Sequence, residues 1–174
     1  SEPSDPLIEK IALLQGDKTD IGNACLTLAH LAKKIDNGSI RNEYVEMFIG
    51  VGRGEILPFA SYYLTGFLND KPLADLRSDM AKIGIVRTED VREPEDHIAS
   101  LFDIMSGLIR GSFERPYSVT EQAEFFNKHI GPWGGLLMQD IETAKSAVFF
   151  APVGAIGKVF LEIESTAFSM DGTR

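Results

Sequence analysis

An all-α protein is predicted from three features of the sequence. Apolar residues recur three and four residues apart along most of the chain, the spacing of one helix face. Glycines and prolines punctuate that pattern where helices should end and begin. The alternating β-branched runs of a strand are sustained nowhere, and no repeat period stands out. At 174 residues the chain suits a single helical domain with a sizeable core.

Taken in order, Leu7, Ile8, Ile11 and Leu14 make a short face closed by Gly16. Ile21, Cys25, Leu28, Ala32 and Ile35 predict a helix that starts after Asp20 and stops behind Lys33 and Lys34, at Asn37-Gly38. Tyr44, Met47 and Phe48 predict a third helix, stopped at Gly50, and Gly50-Val51-Gly52-Arg53-Gly54 reads as a loop. A helix resumes over residues 59–68, crowded with Phe59, Tyr62, Tyr63 and Phe67. Pro72 fits the first turn of another, which carries Leu73, Leu76, Met80 and Ile83 and ends at Gly84.

The charged residues 87–92 read as a linker, with a hinge near 87–97. Pro94 is expected to open a helix with Ile98, Leu101, Phe102, Met105 and Leu108 on one face, closed by Gly111. Ser118 and Glu121 form a capping-box pattern for a helix reaching Ile130, which Pro132 breaks. Two more helices follow, roughly over 135–148 and 152–170, giving about eight in all.

Composition narrows the function classes. With 44% hydrophobic and 25% charged residues, the chain is too apolar to be disordered. No apolar run approaches the ~20 residues of a membrane span, and no secretory signal opens the sequence. A net charge of −9 argues against nucleic acid and leans towards a cationic partner. The one cysteine, Cys25, excludes an intrachain disulfide and fits a reducing compartment. Its place on an apolar stripe predicts a buried small hydrophobe.

Chemistry-bearing patterns are sparse. The Gly50–Gly54 loop lacks both Rossmann and phosphate-loop spacing, so a glycine hinge is the better reading. The 3 histidines, His30, His97 and His129, are too dispersed for a metal site. Cys25 has no nearby base to make it a nucleophile. The informative cluster is Glu93-Pro94-Glu95-Asp96-His97. It reads either as capping and dipole compensation at a helix start, or as an acidic pocket for a cation with His97 oriented by a carboxylate. Trp133, beside Pro132, is either core or part of a groove.

Three separated blocks resemble the TorD/DmsD family of cytoplasmic chaperones for bacterial molybdoenzymes. The first is Glu43-Tyr44-Val45-Glu46-Met47-Phe48-Ile49-Gly50 followed by Pro58-Phe59. The second, Glu93-Pro94-Glu95-Asp96-His97 with Leu101 and Met105, matches the family's most specific signature, E-P-x-D-H. The third is His129-Ile130-Gly131-Pro132-Trp133 with Ala147-Val148-Phe149-Phe150 downstream. The match runs over roughly residues 20–170, and the family's first helix is expected to be missing here.

The resemblance implies a cytoplasmic, all-helical protein of anaerobic respiration without enzymatic activity. Such a protein binds the twin-arginine signal peptide of a molybdenum-cofactor enzyme and holds the preprotein until the cofactor is inserted. The glycine loop resembles the subgroup that serves formate dehydrogenases, whereas Gly52 stands where some relatives carry tryptophan. Guanine nucleotide binding and a homodimer are further properties the resemblance raises; a bound cofactor is not among them.

The residues expected at the peptide site are Tyr44, Met47, Phe48, Pro58, Phe59, Tyr63, Glu93, Pro94, Asp96, His97 and Trp133. Asp96 and His97 are expected to be partly accessible at a helix start. The rival readings are a small nucleotide-binding or hydrolytic enzyme using Glu93, Asp96 and His97, and a helical assembly adaptor. An enclosed polar pocket would favour the enzyme, and an aromatic groove would favour the chaperone.

Overall fold

Helix starts that find their own acceptors set most of the element boundaries. The structure, a computed structural model, describes residues 2–86, 93–113 and 115–171. Among them lie α1 (Asp5–Ile11), α2 (Asp20–Lys34), α3 (Asn37–Tyr44), α4 (Ala60–Thr65), α5 (Lys71–Lys82), α6 (Ile98–Arg110), α7 (Val119–His129), α8 (Gly131–Thr143) and α9 (Ala151–Asp171). No strand occurs among the described residues beyond one isolated bridge, between Phe59 and His97. The all-α expectation holds. The linker expected over 87–92, and with it most of the hinge, lies outside the described residues. No described helix is long and apolar enough to cross a membrane.

Several boundaries differ from the sequence reading, each for a local reason. Asn37-Gly38 does not stop α2; it forms the first turn of α3, because the Asp36 carboxylate accepts the Ser39 N–H at 2.9 Å and starts a new helix. α3 runs into a π turn over Val45–Ile49, closed by the Gly50 N–H donating to Val45 O at 2.7 Å. Gly50 has φ 62°, and a Cβ there would lie 2.0 Å from Arg53 O, so only glycine fits. α4 is shorter than expected because Gly66, at φ 82°, ends it in the left-handed conformation. Pro94 does not open α6, which starts at Ile98 with His97 as its cap. Pro132 sits in the first turn of α8, where its missing N–H costs nothing. The capping box of Ser118 and Glu121 forms as predicted.

The described residues form two compact units, one drawn from Ser1–Leu57 and Gly135–Glu162, the other from Pro58–Gly134 and Ile163–Arg174. In the first, Ile8, Leu28, Ala32, Ile40 and Phe149 make a shared core, with Ile35, Phe150 and Ile156 packed against it. Cys25 is half-buried at the side of α2 and not a core residue as expected. Within this unit α8 and α9 approach closely: a Cβ on Gly154 would lie 2.4 Å from Glu142 N.

Glu43 organises the entry to α9. Its carboxylate, buried at 8% exposure, accepts the N–H groups of Val148, Phe149 and Phe150 at 2.8, 3.0 and 2.8 Å. An anion among donors just ahead of a helix is favoured by hydrogen bonding and by the helix dipole together. Glu55 does the same one turn earlier, accepting from Lys145 N–H and Ser146 Oγ, both at 2.8 Å. The backbone bond from Lys145 and the Ser146 hydroxyl hold its carboxyl below the usual range.

The second unit is built on the packing of α4 against α5 and α6 against α7. Leu73, Leu76 and Met80 of α5, Leu101, Ile104, Met105 and Leu108 of α6, and Phe125 and Phe126 of α7 are all buried. Phe126 meets Phe168 of α9 with ring centres 5.1 Å apart. Replacing Glu43 tests the first unit's architecture. Glu43→Ala strands a buried N–H at Phe149 and should lower the unfolding free energy by roughly 2–3 kcal/mol. The check is a fall in the urea midpoint at unchanged m-value.

Candidate functional site

The second unit holds a joint between the start of α4 and the start of α6. Residues 58–60 and 96–98 run antiparallel: the Ala60 N–H donates to Asp96 O at 3.0 Å and the Ile98 N–H to Pro58 O at 2.9 Å. This pairing places two consecutive side chains at two helix N-termini. The Asp96 Oδ2 accepts the Ser61 N–H at 2.8 Å, in the first turn of α4. The His97 Nδ1 accepts the Ala99 N–H at 3.1 Å and caps α6. The His97 ring meets the Phe59 ring edge-on, with centroids 5.1 Å apart.

Cap geometry fixes the chemistry of both residues. Nδ1 accepts a hydrogen bond only when it carries no proton, so His97 serves as a cap in its neutral form. Burial pushes its pKa down, opposed by the charge of Glu93. Asp96 is fully buried, which corrects the expectation that it is partly accessible. Glu95 is also buried, at 8% exposure, and takes both Nε and Nη2 of Arg77 on its Oε2, at 3.0 and 2.8 Å. Of the three carboxylates in the cluster only Glu93 is exposed. Two buried polar atoms at the joint have no partner among the described residues: Ser61 Oγ and Asp96 Oδ1.

The other expected site residues divide between the two units. In the second, Pro58 is buried, while Phe59, Tyr63 and Pro94 are half-buried. Trp133 is core: it is 1% exposed, its Nε1–H donates to His129 O at 2.7 Å, and Tyr63 packs on it at 5.3 Å between centroids. In the first unit, Tyr44 and Phe48 cluster with Phe150, the pairs 5.2, 6.1 and 5.5 Å apart, while Met47 is fully buried. The structure thus joins Phe59, Asp96 and His97, joins Tyr63 to Trp133, and joins Tyr44 to Phe48.

Sequence reasoning missed Arg77, Ser61 and Asp79. Asp79 accepts from Lys82 at 2.8 Å, from Lys128, and from His129 Nε2 at 2.9 Å. Burial opposes its charge, but these three partners hold the carboxyl far below the usual range. Only the Asp79–Lys82 spacing of three on one helix was visible beforehand. Beside this network opens a cavity of about 370 Å³, floored by Leu108, Tyr117 and Phe125. Among the described residues no group of His, Cys, Asp and Glu is arranged to hold a metal ion.

The comparisons fit this geometry. A crystal structure described as a redox enzyme maturation protein from Archaeoglobus fulgidus shares the fold, with a TM-score of 0.60 over 93% of this chain and 86% of that one, at 20% identity. The class is therefore an all-helical protein that shares the fold of that structure. The model of the family described as nitrate reductase delta subunit matches residues 14–139, and the chain belongs to that family. The chaperone protein TorD of Vibrio atlanticus is 31% identical over 134 residues, covering 71% of this chain and 61% of that protein. TorD of Aliivibrio salmonicida is 30% identical over 132 residues, covering 70% and 60%. These relatives, named as chaperones, bear out the resemblance read from the three motif blocks. The chain spans about three fifths of their length.

The two caps have measurable signatures. Asp96→Ala strands the Ser61 N–H in the interior and should cost roughly 1–3 kcal/mol in denaturant unfolding. His97 has a folded pKa below its unfolded value of 6.5, so its contribution is complete above that pH and is lost as pH falls through the lowered value. Buried His129, lowered first by its burial, adds to the same trend. His97→Asn keeps a capping oxygen and should show a smaller stability loss between pH 8 and pH 5 than the parent protein, read by urea unfolding at each pH.

Proposed function

We propose that this protein is a maturation chaperone that binds the twin-arginine signal peptide of a molybdenum-cofactor enzyme and has no turnover of its own. It holds the preprotein in the cytoplasm for cofactor insertion before export, and a formate dehydrogenase is the proposed client. The observation that carries this reading is the joint. In the part of the chain that most resembles the chaperone signature, Asp96 and His97 are committed to capping α4 and α6. A hydrolase would need those groups free to reach substrate and exchange protons. Their structural use therefore speaks for an interaction protein and against the enzyme reading.

Surface chemistry in the second unit suits such a peptide, which pairs arginines with an apolar stretch. Exposed Glu93 offers a carboxylate to a guanidinium. Leu64, Phe67 and Leu68, at the end of α4, are 43%, 72% and 45% exposed and offer apolar area. In the first unit the Tyr44, Phe48 and Phe150 cluster adds half-buried aromatic surface of its own. The net charge of −9 steers a basic peptide inward.

A second reading, guanine nucleotide binding, has one observation in its favour: the 370 Å³ cavity carries Tyr117 and Phe125 together with Lys82, Arg115 and Lys128. Those cations are already paired, Lys82 and Lys128 with Asp79 and Arg115 with Glu121, so an anion would have to compete for them. The peptide reading is the stronger.

Calorimetry against the twin-arginine signal peptides of the host's molybdenum-cofactor enzymes should give, for the client's peptide, a dissociation constant near micromolar, about −8 kcal/mol, with a negative heat-capacity change. Failure to bind any twin-arginine peptide of the host, with the protein folded, removes the proposal.

A further inference from the structure

The Arg77–Glu95 pair carries an inference about how an arginine is admitted. Arg77 projects from α5 with its side chain 51% exposed, yet its Nε and Nη2 both rest on Oε2 of a Glu95 whose side chain is 10% exposed. A solvent-reaching guanidinium is thus seated on a nearly buried carboxylate, the arrangement an incoming arginine side chain would make. Asp96 lies close enough to help raise the Arg77 pKa, after the larger effect of its hydrogen bond to Glu95.

The residue after Glu95 belongs to the joint, where two polar atoms have no partner among the described residues, Ser61 Oγ and Asp96 Oδ1, both on residues with no exposed surface. Buried polar groups are nearly always hydrogen-bonded, and leaving one unmet carries a desolvation penalty. Both atoms accept hydrogen bonds, and a guanidinium supplies five N–H donors in a planar fork. Arg77 is tethered to α5 and uses two of its donors on one oxygen of Glu95. An arginine arriving on a separate chain is free of that tether.

We propose that Arg77 is a built-in stand-in for a ligand arginine: a guanidinium from the client displaces it from Glu95 and also donates to Asp96 Oδ1 and Ser61 Oγ. Arg77 is then a specificity-setting competitor. It is released only by a side chain that matches its own fork, so arginine is admitted and lysine is not. This inference rests on the signal-peptide reading for the source of its arginine, but the site it defines takes any accessible arginine side chain.

The test compares the parent protein with Arg77→Ala, Arg77→Lys and Glu95→Gln, with affinity expressed per folded molecule after each variant's stability has been measured. Two probes are used: the twin-arginine peptide with its twin-lysine counterpart, and N-acetyl-arginine amide followed by the NMR shift of the Ser61 amide. Arg77→Ala should bind the twin-arginine peptide about fivefold more tightly and leave the twin-lysine peptide unchanged. Arg77→Lys, which keeps the charge and the packing of the stem, should give a smaller gain in the same direction; it decides the matter if Arg77→Ala fails to fold. Glu95→Gln should weaken arginine binding.

Equal tightening of both peptides would mean that only a positive charge had been removed, and would overturn the inference. Unchanged or weaker arginine binding in both Arg77 variants would overturn it too. If N-acetyl-arginine amide shifts Ser61 in Arg77→Ala but not in Glu95→Gln, while no signal peptide binds any form, the arginine site stands and the signal-peptide reading falls. If neither probe binds, both fall.

Discussion

A helix that starts inside a protein must find acceptors for its first N–H groups, and the start of α4 depends on a carboxylate that arrives from far along the chain. Asp96 reaches the Ser61 N–H across 35 residues of sequence while its own backbone pairs with Ala60. The next residue, His97, caps α6 and packs on Phe59. One antiparallel step of backbone thus sets the directions of two helices, and with them the packing of α4 on α5 and α6 on α7. Removing the Asp96 cap would leave the Ser61 N–H unmet in the interior, whereas the His97 cap serves an N–H at the exposed Ala99.

The acidity of the chain takes on a different meaning in this setting. Much of it is spent on backbone and side-chain donors within the fold. Glu43 and Glu55 hold the segment that enters α9, Asp36 starts α3, Glu121 closes the box on α7, and Asp79 gathers Lys82, Lys128 and His129. Net charge still steers a cationic partner from a distance. Among the described residues the buried carboxylates are Glu43, Glu95 and Asp96, so it is at the joint that the acidic cluster offers a partner less than its composition suggests. In the cluster at 93–97, one is exposed, one is shared with Arg77, and one is sealed inside.

Helices were legible wherever a cap and an apolar stripe agreed. The Ser118–Glu121 box announced α7, Gly111 closed α6 with φ 65°, and Pro72 marked the first turn of α5. Errors fell where one residue type has two uses. Asn37-Gly38 is as good a first turn as it is a stop, and Asp36 decided the matter. Pro94 was expected to open a helix and Pro132 to break one, but the first precedes a turn and the second sits in the first turn of α8. The cluster at 93–97 was found by its composition, and the resemblance pointed to the same residues. Its geometry was not legible, because the partners that bury Asp96 and Glu95 come from α4 and α5, and no local period links Ser61 or Arg77 to them. Trp133 shows the same limit: the sequence left core and groove open, and only its bond to His129 and its stacking with Tyr63 decide for core.

Amide hydrogen exchange at Ser61 tests the joint most directly, because that single N–H reports the Asp96 carboxylate on which the start of α4 depends. The account predicts that Ser61 exchanges as slowly as amides in the middle of α7, and that Asp96→Ala speeds it selectively by about ten- to a hundredfold, as expected for loss of a buried cap worth roughly 1–3 kcal/mol. A Ser61 amide that exchanges like an exposed turn residue in the parent protein, or one unaffected by Asp96→Ala in a variant that remains folded, would contradict it.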